Sequence, residues 1–451
     1  MEILLIEKQL HNPDVQIRRE AILSIRRMIG EGTLAPPPPQ ENCNLHVHTF
    51  FSYNAFGHSP SSLAWLARRE GIQLMGIIDF DTLEGTEEFL WSCEQLQVRG
   101  TVSLETRIYL PEFSDRVITS KGQPGVAYYI LSGFASGNLS PQAQAKYGEL
   151  KRYLTSRNHR ILQSLNDYLS PLVVDYQRDV VSLSAGETPT ERHIMEAYYQ
   201  SAIKSIDNPI PFWSEKLGMD PSEIERLHPQ PSTFRRVMRE KLVKTGDIAY
   251  QAPGTENYPT LGLVNDLAGL TDSLPTLVWA NGTYPGEQEE AVLLDYLVDN
   301  GLAGMNIVPD RSINVPESDK DFRLKCLYEV VELAAQYDLP IFIGTEMNQP
   351  GHQWVDDLNL PTLAPLKQSF MDGAYFLYGH TMLSRYANLG YLSGWSQDQF
   401  KDRRSRNSFY TRVGASLPNT NESRDVLQSL PHDLSAKDLL VRVSRKWANP
   451  N

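Results

Sequence analysis

Apolar residues recur at helical spacing near the start of the chain, at Ile17, Ala21, Ile22, Ile25 and Met28. The Asn12-Pro13-Asp14 break just upstream suits a helix start. Two short helices fit there, so residues 1–35 are expected to form an N-terminal helical arm. One such unit cannot bury its own apolar face, and the arm should pack on the main domain or on a partner. Residues 36–42 follow as a stiff linker, because the proline run Pro36 to Pro39 fixes φ and removes backbone donors.

Past the linker the pattern changes to strands alternating with helices. Cys43 to His48 reads as a strand, and Ser59-Pro60 as an N-cap and first-turn proline for a helix through Leu63, Leu66 and Ala67 that closes at Gly71. Leu74 to Ile78 is the next strand. The order helix, glycine, strand returns at Glu287 to Val298, Gly301 and Gly304 to Val308, and again at Leu324 to Tyr337 and Pro340 to Gly344. Repeated units of this kind predict a parallel sheet, and the polar residues just past each strand predict a site at the strands' carboxyl ends. Residues 43–136 and 273–451 are assigned to this barrel. Between them, 137–272 is helical and irregular, with Leu150 to Leu169 and Phe234 to Val243 as helices, and reads as an inserted subdomain.

Composition narrows the function. With 451 residues and 41% hydrophobic content the chain can bury a large core, and its formal net charge of −13 excludes general nucleic-acid binding while leaving room for a local basic pocket. Cys43, Cys93 and Cys326 are scattered, which points to a reducing compartment, taken as cytoplasmic. No apolar run is long enough for a bilayer, so no membrane partner is expected. The sequence leaves the oligomeric state open.

The sharpest chemical signal is Asn44-Leu45-His46-Val47-His48-Thr49. Histidines at i and i+2 on a strand face the same side and can chelate one metal. From His46 to Asn348 the order of motifs resembles the PHP (polymerase and histidinol phosphatase) superfamily of metal-dependent phosphoesterases. His46 and His48 match its opening pair, with Asn54 where an acidic residue is expected. Gly76-Ile77-Ile78-Asp79-Phe80-Asp81-Thr82 is similar to its second motif, with Phe80 in place of a histidine. Val102-Ser103-Leu104-Glu105 is similar to the strand that ends in a bridging glutamate, and Tyr128 stands where a histidine opens a strand. Asn281 and Asn348 occupy the last two histidine positions, and Glu346 replaces an aspartate.

The resemblance implies an α/β fold, a distorted (β/α)7 TIM-like barrel of the PHP type with a mainly helical insertion and the N-terminal arm. It implies a metal set of His46, His48, Glu105 and Glu346, with Asn281 and Asn348 adding oxygen contacts or orienting water. Neutral amides are weak ligands, so one or two divalent ions (Zn, Mn or Fe) are expected rather than three. Asp79 and Asp81 are the catalytic candidates. Thr190-Glu191-Arg192-His193-Ile194-Met195 is similar to a helix start that meets substrate phosphate in one branch of the family, which makes Arg192 and His193 the phosphate-binding candidates. The implied function is hydrolysis of a small phosphorylated substrate. The alternative is a decayed barrel acting as a small-ligand binding or regulatory module.

Overall fold

The computed structural model describes residues 2–244, 248–431 and 433–447; parts of the proposed insertion and of the C-terminal segment lie outside these. Helices α1 (Glu2–Gln9) and α2 (Val15–Gly30) form the arm. Asp14 caps α2 by accepting a hydrogen bond from the Gln16 amide. Strands β1 (Gln40–Val47), β2 (Ile72–Phe80) and β3 (Arg99–Tyr109) alternate with α3 (Pro60–Glu70) and α4 (Thr86–Leu96). Ser59 caps α3 as its sequence predicts, and Gly71 ends it in the left-handed region at φ 66°, where a side chain would be strained.

Strand β4 (Val126–Ser132) comes next, and then the helices α5 (Pro141–Tyr168), α6 (Glu191–Ser205), α7 (Pro209–Leu217), α8 (Pro221–Leu227), α9 (Pro231–Arg239) and α10 (Leu261–Thr271). β5 (Leu274–Trp279), β6 (Gly304–Ile307) and β7 (Ile341–Ile343) complete one seven-stranded sheet that pairs in chain order. A bridge between Val47 and Glu346 brings β7 back to β1, so the barrel is nearly closed.

The expected all-parallel order fails at β4, which runs antiparallel to both β3 and β5. A parallel neighbour needs a crossover, but residues 110–125 between β3 and β4 hold only a single short 3-10 turn, so the chain folds straight back. The reversal matters for the site: it puts the amino end of β4, with Tyr128 opposite Arg107, at the same mouth as the carboxyl ends of the other strands.

Four apolar clusters hold these layers, the smallest made by Ile78, Ile130 and Val278 of β2, β4 and β5. The largest joins the helix-facing side of the barrel strands, as at Leu45, Leu104 and Leu277, to the surrounding helices, among them the helix Lys367–Ala387 through Phe370, Ala374 and Leu377. A second lies within the helices between β4 and β5, around Tyr198, Trp213 and Phe234. The third packs Ala21, Ile22 and Ile25 of α2 on Leu63, Phe89 and Cys93 of α3 and α4, so the arm is covered by the barrel's own helices. There Arg18 makes a buried two-pronged ion pair with Glu88, at 2.7 and 2.5 Å.

Candidate metal and anion site at the barrel mouth

His46 is the penultimate residue of β1, and His48 lies one step beyond the strand end. The barrel closes at this point through backbone bonds of the site itself: the Glu346 amide donates to the His46 carbonyl at 2.7 Å, and the His48 amide donates to the Glu346 carbonyl at 3.1 Å. That pairing, rather than a long strand, sets Glu346 beside the two imidazoles. Glu346 and Met347 both sit at positive φ, 60° and 51°, a costly conformation for side-chain-bearing residues.

Ligand-type atoms of His46, His48 and Glu346 lie within 4.8 Å of one another. Glu105 joins them from the adjacent wall, its Oε2 3.4 Å from His46 Nε2 and 3.5 Å from His48 Nε2. All four residues are buried, the two histidines at 0% exposure. Both Nε2 atoms and Glu105 Oε2 nevertheless lack hydrogen-bond partners among the described residues, and so does Asn348 Oδ1. Each unsatisfied buried polar atom costs on the order of 1–3 kcal/mol. Four together beside one cavity form a donor set that a divalent cation fits.

The surroundings orient this set. His46 Nδ1 donates to Asn306 Oδ1 at 2.7 Å, which leaves the Nε2 lone pair facing the other ligands. His48 is stacked on Phe80, with centroids 4.3 Å apart and planes 19° from parallel. Burial and the neighbouring His46 hold His48 well below the ordinary histidine pKa. For His46, burial is outweighed by Glu105 and Glu346, and its pKa lies above the ordinary value. Burial raises Glu105. Burial would raise Glu346 too, but Arg311, 2.6 Å from its Oε1, outweighs that and brings the pKa to about 2.

Of these groups Glu105, Glu346, Arg311 and Asn348 open onto a cavity of about 340 Å³ whose walls also include Asp81, Arg107, Arg157, Arg192 and Arg239. The net-acidic chain thus gathers five arginines from separate segments around the mouth of the ligand set. Asp81 reaches the cavity and accepts a 2.5 Å hydrogen bond from the Thr106 hydroxyl; burial raises its pKa. Asp79 is committed elsewhere. It accepts from the Thr49 amide, the Thr49 hydroxyl and the Ser52 hydroxyl at 2.8, 2.7 and 2.5 Å, and so anchors the loop that follows His48.

Two further candidates are placed differently from the sequence expectation. Asn281 borders the cavity, but its Oδ1 accepts from the Thr283 amide and hydroxyl in a tight turn, so that oxygen is spent locally. His193 Nδ1 accepts from the Thr190 amide at 2.9 Å as part of a capping box, and its ring lines an adjoining cavity of about 790 Å³ instead. Arg192 borders both cavities, its guanidinium 4.6 Å from the Tyr53 ring and its Nη1 buried without a partner. Asn54, where the resemblance expects an acid, braces the loop by donating to the His48 carbonyl at 2.8 Å and accepting from the Phe56 and His58 amides.

Sequence reasoning missed Asn306, Arg311 and Arg107. Arg311 follows β6 in Pro309-Asp310-Arg311, the same polar position past a strand that pointed to Glu346. Arg107 is two residues beyond Glu105 and shares its face of β3. Arg157, Glu191 and Arg239 come from three separate helices and carry no spacing signal.

The class defined by these features is a nearly closed α/β barrel with a His, His, carboxylate cluster at its mouth. No protein-family description matches the chain, and no curated protein matches its sequence. Among solved structures it is similar to a provisionally assigned metal-dependent phosphoesterase from Bifidobacterium adolescentis, with TM-score 0.45 and 15% identity over 74% of this chain and 98% of that one. It is also similar to an amidohydrolase from Chromobacterium violaceum with bound sulfate and no metal, with TM-score 0.48 and 14% identity over 73% and 96%.

Proposed function

We propose that the chain is a metal-dependent hydrolase of phosphate esters built on a divergent PHP-type barrel. One observation carries this reading: the buried, unpartnered Nε2 atoms of His46 and His48 lie beside Oε2 of Glu105 and beside Glu346, and those two carboxylates line a guanidinium-rich cavity. His46, His48 and Glu346 would hold one Zn, Mn or Fe ion, with Glu105 and Asn348 supplying further oxygens; the mixed imidazole and carboxylate set suits all three. Bound there, the ion would supply Lewis acidity, activating water near neutral pH and offsetting charge on phosphoryl oxygens.

The chain's own residues do the rest. Arg192 and Arg311, which both line the cavity, bind and orient the phosphoryl group. Asp81, kept protonated more readily by burial, delivers a proton to the leaving oxygen. Phe80 and Val278 keep bulk water off that wall. The substrate is a small phosphorylated molecule. Among the described residues no helix is long and apolar enough to cross a membrane.

The test is hydrolysis of a panel of phosphomonoesters, p-nitrophenyl phosphate included, with Mn²⁺, Zn²⁺ or Fe²⁺ added. The reading expects turnover that EDTA and the His46→Ala/His48→Ala double variant both abolish. The spent oxygen of Asn281 and the apolar Phe80 favour the second reading, a non-catalytic ligand-binding barrel, and that reading takes over if no metal supports turnover.

A further inference from the structure

Among the described residues, the cations on the insertion side of the cavity outnumber the carboxylates beside them, Glu191 and Asp81. Glu191, at the start of α6 and buried, is bonded to Arg107 of β3 at 2.9 Å, to Arg239 at the end of α9 at 2.9 Å, and to Lys244 at 2.9 Å. One carboxylate is therefore shared by three cations among the described residues. A fourth, Arg157 of α5, is buried beside them. Its Nη1 donates to the Asn257 carbonyl at 3.1 Å, and its Nε is buried without a partner. Burial and the nearby Arg107 guanidinium pull down the pKa of both Arg157 and Lys244.

Buried charge is retained when something pairs with it, and uncompensated cations are costly to keep out of water. Arg107, Arg157, Glu191 and Arg239 all border the 340 Å³ cavity, on walls built partly from the barrel and partly from the helices between β4 and β5. Guanidinium groups offer planar, two-pronged donation that matches a tetrahedral oxyanion better than ammonium groups do. Glu191 fixes Arg107 and Arg239 relative to one another, and Gln123 holds Arg107 further by accepting from its Nη1 at 3.2 Å, so the guanidinium groups are positioned before a ligand arrives.

We propose that Arg107, Arg157 and Arg239, held in place by Glu191, form a preformed subsite for a tetrahedral oxyanion, a second phosphate of the substrate or free inorganic phosphate, apart from the phosphoryl group that Arg192 and Arg311 hold. The subsite binds its anion without help from the metal ligands; it rests on the hydrolase reading only for the claim that the anion is part of a phosphoester. Arg107, Arg157 and Arg239 are the binding groups, and Glu191 is a positioning residue.

The experiment is calorimetric titration of inorganic phosphate into the full-length protein stripped with a chelator. Stripped wild type is expected to bind phosphate, and Arg239→Gln and Arg157→Gln each to weaken it by at least about tenfold. The stripped His46→Ala/His48→Ala variant should bind it within about twofold of stripped wild type, since no metal contact is involved. Arg157 is buried, so if Arg157→Gln does not fold, Arg239→Gln decides, its side chain being 25% exposed. Absence of phosphate binding at millimolar concentration, or wild-type affinity in Arg239→Gln, overturns the subsite. A phosphoester used by stripped and reloaded Arg239→Gln at unchanged KM likewise separates failure here from failure of the hydrolase reading, which stands or falls on metal-dependent turnover.

Discussion

The barrel wall and the insertion wall of the cavity lack opposite things. On the barrel wall, His46, His48, Glu105 and Asn348 leave acceptor atoms buried and unpartnered; on the insertion wall, Arg157 and Arg192 leave donors unpartnered. One wall calls for a cation and the other for an anion. The Arg18–Glu88 pair under the arm shows what a satisfied buried charge looks like in the same molecule, with both guanidinium edges occupied by carboxylate and carbonyl oxygens. In that pair every guanidinium edge is filled, whereas acceptors and cationic donors stand open together around one cavity; such a cluster marks ligand positions, which scattered open atoms such as Trp213 Nε1 and Tyr378 Oη do not.

The contrast breaks most severely at the imidazoles. Replacing His46 and His48 with alanine is expected to lower metal-dependent phosphoester hydrolysis by at least about a thousandfold, because the ion's several kcal/mol of charge stabilisation goes with it. Steady-state kinetics with saturating Mn²⁺ or Zn²⁺ checks this. Fold retention, read by thermal melting, separates the loss from unfolding.

A gentler change acts one layer out. Asn306→Leu removes the acceptor that orients His46 Nδ1, and should weaken metal affinity roughly 10- to 100-fold with the fold intact. Competition against a chelator of known affinity measures it. Unchanged affinity would mean that His46 is not a ligand.

Arg311 sharpens the comparison because it places a cation on the barrel wall. Arg311→Gln frees Glu346 from its ion pair and removes a repulsive charge, so metal should bind several-fold tighter, about 1 kcal/mol, while phosphate binds more weakly. The same titrations detect both shifts, and a variant in which the two move together would count against the assignment.

The smallest effect lies outside the site. His58 is held at about 4 by burial and by His11 and Arg69, below its unfolded value. The unfolded chain therefore takes up the proton first, and the part of stability that His58 supplies should fall as pH drops from about 6.5 to 4 and level off below. Urea unfolding across that range should show a smaller fall in His58→Asn, His48 and His193 keeping their share.

How far the sequence revealed this arrangement depends on the range over which each signal acts. Strand alternation, the Ser59-Pro60 helix start and the His46, His48 pair were legible because two residues apart on a strand means one face. The reversal of β4 was hidden, since Tyr128 to Leu131 has the same apolar pattern whichever way it runs. Asn281 and His193 were read from motif position, which says nothing of the local turn and capping bonds that occupy their side chains. Glu191 was passed over inside the very motif that supplied Arg192, because its meaning comes from Arg107 and Arg239, 84 and 48 positions away.

The most direct measurement is the metal content of the full-length protein as purified, by plasma mass spectrometry, beside that of His46→Ala/His48→Ala. One divalent ion per chain in wild type, absent from the double variant, is the predicted result. Equal metal in both, or none in wild type even after incubation with Mn²⁺, Zn²⁺ and Fe²⁺, would contradict the account.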